Sequence, residues 1–173
     1  TLKEVGGDKL TTLSITGAFK GVIGDNDVSK PAFAKLTTVT FGGTVAANAI
    51  TAGAFSGSTK LATVNFNGAL AAGAVKAGAF GNATSVAGSA NTAVAGIKLT
   101  VNYSPAATNH TKAFEEGAFS ANGSEGNFVK LVTTTAYKAY LETTAGGSWT
   151  NVATENYFRL LVDAALATAN LKV

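Results

Sequence analysis

Apolar and polar residues alternate in three short segments that share one pattern. Each begins with leucine, carries Val or Leu three residues later, and ends two residues further on with a large apolar residue, while small or polar residues fill the positions between. Alternation of this kind predicts β-strands that bury one face. The three segments are residues 10–15, 36–41 and 61–66, and a weaker copy occupies residues 98–103.

A second motif, Ala-Phe preceded by Gly in three of its four copies, recurs between the strand-like segments. Its phenylalanines are Phe33, Phe55, Phe80 and Phe119, and the large apolar residues five positions earlier are Val28, Ile50, Val75 and Phe114. The two motifs keep phase, because Phe55 and Phe80 each follow the end of the preceding segment by 14 residues. A repeat of this length predicts one supersecondary unit per step, which buries its apolar side only when copies stack.

Stacking of the copies predicts where each apolar residue lies. We expect the Leu, Val and Phe of every strand to point inward and the second set of phenylalanines to form a column on the opposite wall. The Gly before Ala-Phe is expected to allow either a tight turn or close packing between coils. Two repeats are longer than the others, with additional residues between Ile15 and Phe33 and between Phe80 and Ile97. Both insertions are predicted to bulge from the stack as loops.

The two phased motifs resemble the BspA-like leucine-rich repeat of bacterial surface proteins over about residues 10–150. The best match is residues 50–66, where Ser58 stands at a position that is often cysteine in that family. The resemblance implies a fold of the α/β repeat class, a leucine-rich-repeat solenoid with a short-stranded parallel β-sheet, mostly β and loop, with a C-terminal cap and helix. It also implies a secreted or cell-surface bacterial protein, with its signal sequence removed or outside this chain.

The C-terminal third predicts a cap and a helix. Residues 131–142 and Trp149 are similar to the sequence that often closes such arrays, in which a last strand leads into a short Ala- and Tyr-rich helix and a Trp packs over the final coil. We therefore predict a solenoid over residues 1–153, with its cap at about 131–153. Residues 154–173 carry apolar residues at helical spacing after Thr154, and predict a helix over 155–171 that docks on the solenoid, mediates self-association or leads into a missing region.

Charge is sparse and unevenly placed. Charged residues make up 13% of the chain, and no Asp or Glu stands between Asp27 and Glu115, although six lysines do. A cationic middle attracts acidic polymers, but sparse solubilising charge is the simpler interpretation. Nucleic-acid binding is not expected, because the chain has a single Arg and no dense basic run with interleaved aromatic residues. No apolar run is long enough to span a bilayer.

Candidate catalytic and metal-binding residues are few. The chain has no cysteine and one histidine, His110, which we expect to be exposed in a loop, and the adjacent Glu115 and Glu116 would diverge rather than act as an acid–base pair. Asp25, Asn26 and Asp27 offer oxygen ligands for Ca²⁺, but the same residue types favour turns. We expect no cofactor, metal ligand, catalytic residue or enzymatic activity; a surface glycosidase would require two carboxylates that meet in a cleft.

The remaining strand positions predict an exposed sheet face on which equivalent residues stack as ladders. Lysine precedes the strand leucine at Lys9, Lys35, Lys60 and Lys130, which predicts a cationic edge. The predicted partner-binding face consists of Thr12, Ser14, Lys35, Thr38, Thr40, Lys60, Thr63, Asn65 and Asn102. The resemblance suggests adhesion or protein–protein contact with a protein or a host or matrix macromolecule; the alternative is a structural spacer, stalk or surface-layer component.

Overall fold

A computed structural model of the chain describes residues 9–24, 33–55, 58, 60–80, 97–106, 108, 110–115, 118, 128–143 and 159–162. Within these ranges the chain forms strands and one helix: β1 Thr12–Ile15, β2 Thr38–Phe41, β3 Thr63–Phe66, β4 Ile97–Tyr103, β5 Phe128–Val132, α1 Thr135–Thr143 and β6 Arg159–Val162. Each repeat is counted from the first residue of its strand to the residue before the next strand, so that repeats 1 to 5 begin at β1 to β5.

The six strands form one sheet in chain order, and every neighbouring pair is parallel. Parallel neighbours require a crossover connection, and the described parts of these connections consist mainly of turns and short bridges. The strands predicted from alternation are confirmed by β1 to β4. This architecture, a parallel sheet with one short helix and mostly strand and loop, is compatible with a stack of repeats.

Apolar strand residues face the interior as predicted. In repeats 2 and 3 the strand residues Val39, Phe41, Val64 and Phe66 are buried, and the leucines that precede them are buried too. Leu10 and Ile15 in the first repeat are only partly buried and pack against the core. The inward-facing residues of the strands are therefore fully buried from the second repeat onward.

The opposite wall contains the predicted column of phenylalanines. Phe33, Phe55 and Phe80 are buried, with ring centroids 6.1 Å apart for the first pair and 4.9 Å for the second. Phe119 lies outside the described residues. Offset and tilted aromatic pairs at such distances add stability beyond the apolar area they bury.

One member of the companion apolar row was assigned wrongly. Ile23, not Val28, pairs with Ile50, and the row continues through Val75 to Phe114. The Ile23 N–H donates to the Ala49 carbonyl at 2.7 Å, which fixes this register. The five-residue spacing fails in repeat 1 because its additional residues follow Ile23, so that spacing from the phenylalanine selects a residue of the insertion. Val28 itself lies outside the described residues.

Glycines serve two purposes in the stack. Gly53 and Gly78 have φ of 74° and 71°, the left-handed region needed at the third position of a turn that Ala54 and Ala79 close onto Thr51 and Lys76. The tight turn predicted before Ala-Phe is thus confirmed.

Gly43 and Gly68 serve the second purpose, close approach between repeats. A Cβ atom at Gly43 would lie 2.6 Å from the backbone of Gly17, and one at Gly68 would lie 2.3 Å from the backbone of Gly43. Neighbouring repeats therefore approach too closely at these positions for any side chain.

The C-terminal region confirms one prediction and corrects another. Helix α1 follows β5, and the Thr134 hydroxyl caps it by accepting the Tyr137 N–H at 3.1 Å. However, the helix predicted over 155–171 is wrong at residues 159–162, which form β6 and pair in parallel with β5. The unpaired backbone groups along the edge of β5 favour a further strand, and this pairing overrides the local helical spacing. Consequently β5 is not the last strand, while Trp149 and the rest of 154–173 lie outside the described residues.

Candidate partner-binding face

The outward residues of β1 to β4 form two ladders in register. Strand pairing aligns Thr12, Thr38, Thr63 and Thr100 in one ladder, here called the threonine ladder. It aligns Ser14, Thr40, Asn65 and Asn102 in the other, here called the amide ladder. All eight are exposed or partly exposed, as predicted from alternation, although the sequence reasoning had omitted Thr100. The face is therefore continuous over four strands.

Side-chain hydrogen bonds link the amide ladder from strand to strand. Asn65 Nδ2 donates to Thr40 Oγ1 at 3.1 Å, and Asn102 Nδ2 donates to Asn65 Oδ1 at 2.7 Å. These bonds orient the amides along the stack and leave the Thr40 hydroxyl proton available to an external acceptor. The ladder thus presents ordered donors and acceptors rather than independently rotating side chains.

Three of the four predicted edge lysines occupy equivalent places. Lys9, Lys35 and Lys60 are exposed, and each stands three residues before a member of the threonine ladder. Lys35 and Lys60 also occupy the same turn, because the following leucine N–H donates 3.0 Å back to Phe33 O in one repeat and to Ser58 O in the next.

Lys130 does not belong to this edge. It pairs in register with Thr100, because Leu131 aligns with Val101 rather than with the leucine that begins the earlier segments. The backbone of Lys130 therefore continues the threonine ladder, which passes next to Leu161 of β6. Val132, in register with Asn102, is buried. The Thr- and Asn-rich character of the face consequently ends after β4.

The expectation that His110 is exposed was wrong. Its ring lies against Tyr137 and Tyr140 of α1, with centroids 5.5 and 5.4 Å away, and its Nε2 atom is buried without a hydrogen-bond partner. The sequence around His110 is loop-like, but α1 of the following repeat covers it. Among the described residues this histidine meets aromatic rings rather than a carboxylate.

Two tyrosine hydroxyls are buried near this histidine. Tyr103 accepts the Leu70 N–H at 3.3 Å, and Tyr137 donates to the Thr111 carbonyl at 3.1 Å. Burial raises the pKa of both phenols, and it raises the pKa of Tyr137 more strongly. Both hydroxyls therefore stay protonated over the ordinary pH range.

Glu115 binds a lysine of the preceding repeat. Its carboxylate forms an ion pair with Lys76 and accepts the Ala77 N–H. The hydrogen bond from Lys76 is the main reason that the pKa of Glu115 lies below its usual value. Glu115 also accepts, through its carbonyl, the Ala118 N–H that closes the local turn. Glu116 lies outside the described residues, so the predicted divergence of the two carboxylates is untested.

The sequence reasoning missed a third apolar row, formed by Phe19, Val45 and Leu70 through parallel bridges. Each residue follows the end of its strand by four positions, which is the signal that would have revealed it. This row lines an open groove of about 320 Å³, and Lys20 lines the same groove.

Asp25, Asn26 and Asp27 lie outside the described residues, so the structure does not test them as metal ligands. In the part of the chain that the structure describes, no three His, Cys, Asp or Glu side chains come together as a metal site. Over the same ranges no helix combines the length and apolar character needed to cross a membrane. No protein-family model, no curated protein and no solved structure matches the chain.

Proposed function

We propose that the chain is a leucine-rich-repeat solenoid of the BspA-like type that acts as a non-enzymatic contact domain of a secreted or cell-surface bacterial protein. Its partner is a protein or a host or matrix macromolecule, bound through the outward face of β1 to β4. The observation that carries this proposal is the pair of in-register ladders, because they arrange short polar side chains into one continuous surface. Repeat proteins commonly bind through such extended faces.

The solenoid part of the proposal draws on spacing and burial. Equivalent residues of β2 and β3 are 25 residues apart and lie side by side in a parallel sheet. Ser58, at the position where the resembled family often has cysteine, is fully buried and its hydroxyl has no hydrogen-bond partner. Such a site suits cysteine, which behaves as a small apolar residue when buried.

The proposed contact function is supported by the ordered side chains of the amide ladder. Hydrogen bonds between Thr40, Asn65 and Asn102 hold the amide ladder in place before any partner arrives. A preorganised surface loses less side-chain entropy on binding than a flexible one. Few long side chains protrude from the two ladders, so a partner can approach the backbone of the sheet closely.

Binding of the purified chain to immobilised matrix proteins and to host cells tests this proposal. The double substitution Thr38→Glu/Thr63→Glu places two long acidic side chains on the threonine ladder, and we expect it to reduce binding roughly tenfold or more, as for the loss of central interface contacts. The matched control is Thr44→Glu/Ala69→Glu, which adds the same charge to exposed positions of repeats 2 and 3 outside both ladders and should bind normally. Equal binding by both variants, or no binding by the unmodified chain to a broad panel, would refute the proposal.

A structural spacer or surface-layer component remains the second candidate. It is favoured by the columns of stacked residues, because Phe55 lies 4.9 Å from Phe80 and Gly68 approaches the backbone of Gly43 too closely for a side chain. Such contacts join one repeat firmly to the next. On this alternative the chain binds nothing on the panel, and the full precursor carries a separate functional domain.

A further inference from the structure

We infer that Lys9, Lys35 and Lys60, together with the adjoining threonine ladder, form a binding strip for an acidic polysaccharide. The inference rests on the proposed contact function and narrows its partner. We call these three lysines the lysine column. They are exposed, and each stands three residues before Thr12, Thr38 or Thr63. The column therefore runs along the stack, beside the ladder.

The spacing of the column follows from the sheet. Neighbouring strands lie about 4.8 Å apart, so equivalent positions three residues upstream repeat at a similar distance. Backbone bonds preserve this registration, since Thr37 N–H donates to Thr11 O at 2.8 Å and Ala62 N–H donates to Thr37 O at 2.9 Å. The lysine backbones are thus held in a row, while their flexible stems let the ammonium groups adjust to a ligand.

The positive charges of the column are not neutralised by described neighbours. The ammonium groups of Lys9, Lys35 and Lys60 form no hydrogen bond or ion pair with any residue in the described ranges. Lys35 and Lys60 lie in the stretch between Asp27 and Glu115 that has no acidic residue, and the Glu115 carboxylate binds Lys76 instead, whereas Lys9 directly follows Asp8. Neighbouring cations of the column repel one another, and a polyanion that binds along the column removes this repulsion. A row of one sign also concentrates anions at the surface.

The groups beside the column favour a sugar polymer over other polyanions. The threonine ladder presents hydroxyls and the amide ladder presents side-chain amides, and both donate to and accept from sugar hydroxyls. Nucleic-acid recognition relies on Arg and on aromatic stacking platforms, whereas the aromatic rings of these repeats, such as Phe41 and Phe55, are buried. A polymer that repeats both negative charges and hydroxyls meets both features of the strip at once.

Equilibrium binding to dextran sulfate, with neutral dextran of the same length as the reference, tests the inference on the full chain. We expect binding to dextran sulfate, none to neutral dextran, and much weaker binding to poly-glutamate and to duplex DNA. The substitution Lys35→Gln/Lys60→Gln should weaken dextran sulfate binding roughly tenfold at low salt, as expected for two exposed ion pairs. Affinity for dextran sulfate should also fall steadily as salt is added.

The matched control is Lys20→Gln/Lys112→Gln, which removes two exposed lysines outside the column and leaves the same net charge. We expect this control to bind within about twofold of the unmodified chain, because it leaves the column intact. Equal losses in the two double variants would show general charge attraction and overturn the inference. Equal affinity for poly-glutamate, DNA and dextran sulfate would overturn it as well.

The outcome also separates the inference from the proposed function. If the chain does not bind dextran sulfate but still binds matrix proteins in a way that Thr38→Glu/Thr63→Glu abolishes, only the polysaccharide strip is refuted. If the chain binds neither class, both ideas fail. All four lysines in these variants are exposed, so each variant should keep the unfolding midpoint of the unmodified chain.

Discussion

The junctions that join repeats 1, 2 and 3 differ in construction from the junction between repeats 3 and 4. In the first two junctions, a backbone N–H donates to a backbone carbonyl of the next repeat. Phe19 N–H donates to Thr44 O at 2.7 Å, and Val45 N–H donates to Ala69 O at 2.9 Å. In the third junction the equivalent N–H, from Leu70, donates to the Tyr103 hydroxyl at 3.3 Å. The Leu70 carbonyl likewise accepts the Thr111 hydroxyl at 2.9 Å.

The aromatic contacts differ in the same way. Between repeats 2 and 3, equivalent rings stack nearly parallel, at 10° for Phe41 and Phe66 and at 8° for Phe55 and Phe80. At the next junction the equivalent rings of Phe66 and Tyr103 instead meet edge to face at 84°, and Tyr103 meets Tyr137 at 89°. Between repeats 2 and 3 equivalent rings thus stack in parallel, whereas across the longer repeat 3 the strand register is kept, the equivalent rings meet edge to face, and side-chain hydroxyls bond to Leu70.

The largest test of this comparison removes a ring from the parallel column. Phe55 is fully buried and stacks on Phe80, so Phe55→Ala should lower the free energy of unfolding by about 3–5 kcal/mol. Denaturant unfolding followed by circular dichroism measures the change, with Phe55→Leu, which removes the ring but keeps a large apolar side chain, as the milder comparison. A loss below about 1 kcal/mol would mean that the column does not support the regular repeats.

Close backbone approach between regular repeats gives the second test. Gly68→Ala would place a methyl group 2.3 Å from the backbone of Gly43, and it should destabilise by roughly 1–3 kcal/mol because the repeats must separate. Gly17→Ala is the matched control, since no heavy atom lies within 4 Å of its Cβ position. If the two variants unfold at the same denaturant concentration, tight registration is not required.

The third test addresses the side-chain bonds of the irregular junction. Tyr103→Phe leaves the buried Leu70 N–H without its acceptor and should cost about 1–2 kcal/mol. Tyr140→Phe is the control, because the Tyr140 ring is only partly buried. If Tyr103→Phe leaves the free energy of unfolding unchanged, this hydroxyl does not replace the missing backbone carbonyl.

Alkaline pH should weaken the irregular junction selectively. Burial raises the pKa of Tyr137 and Tyr103, so both stay protonated in the folded chain at a pH where unfolded tyrosines ionise, near 10. The two tyrosines therefore contribute fully to the free energy of unfolding below pH 10. This contribution is lost as pH rises further, by up to about 1.4 kcal/mol per pH unit for each tyrosine. Melting temperatures between pH 9 and 11 should fall less steeply for Tyr137→Phe; parallel curves would contradict this account.

The smallest effect concerns the ion pair across the same junction. Because Lys76 lowers the pKa of Glu115, the pair stabilises the fold above the ordinary pKa of glutamate and ceases to do so as pH falls through the lowered value. The exposed geometry limits the gain to about 0.2–1 kcal/mol. Lys76→Gln should therefore reduce stability slightly at pH 7 and leave it unchanged at pH 2, as judged from urea midpoints.

Local periodicity was sufficient for much of the fold. Alternation identified β1 to β4, and the constant repeat length of about 25 residues placed Phe55 next to Phe80 and aligned both ladders. The same reasoning failed where the repeat length changes. Spacing selected Val28 because it cannot show on which side of Ile23 the additional residues lie, and it assigned Lys130 to the cationic edge because one strand leucine resembles another.

Other features depend on contacts distant in sequence. Residues 159–162 fit a helical pattern, and only the open edge of β5 selects a strand. The sequence around His110 predicts an exposed loop, and only the contact with α1 makes this residue partly buried. Whether the ladders bind a partner stays a prediction, because exposure and order are properties of the chain alone.

Because Gly43 aligns with Gly68 and Phe41 aligns with Phe66, repeat 2 is a unit that can be duplicated. Both of its borders are regular junctions, and it spans Thr38 to Ala62 without an insertion. A second copy inserted in tandem would bring one more strand, one more member of the threonine ladder and one more lysine of the lysine column while reusing contacts that already exist. The length of the exposed surface is therefore a quantity that changes in whole units, by gene duplication or by design, without remodelling any single residue.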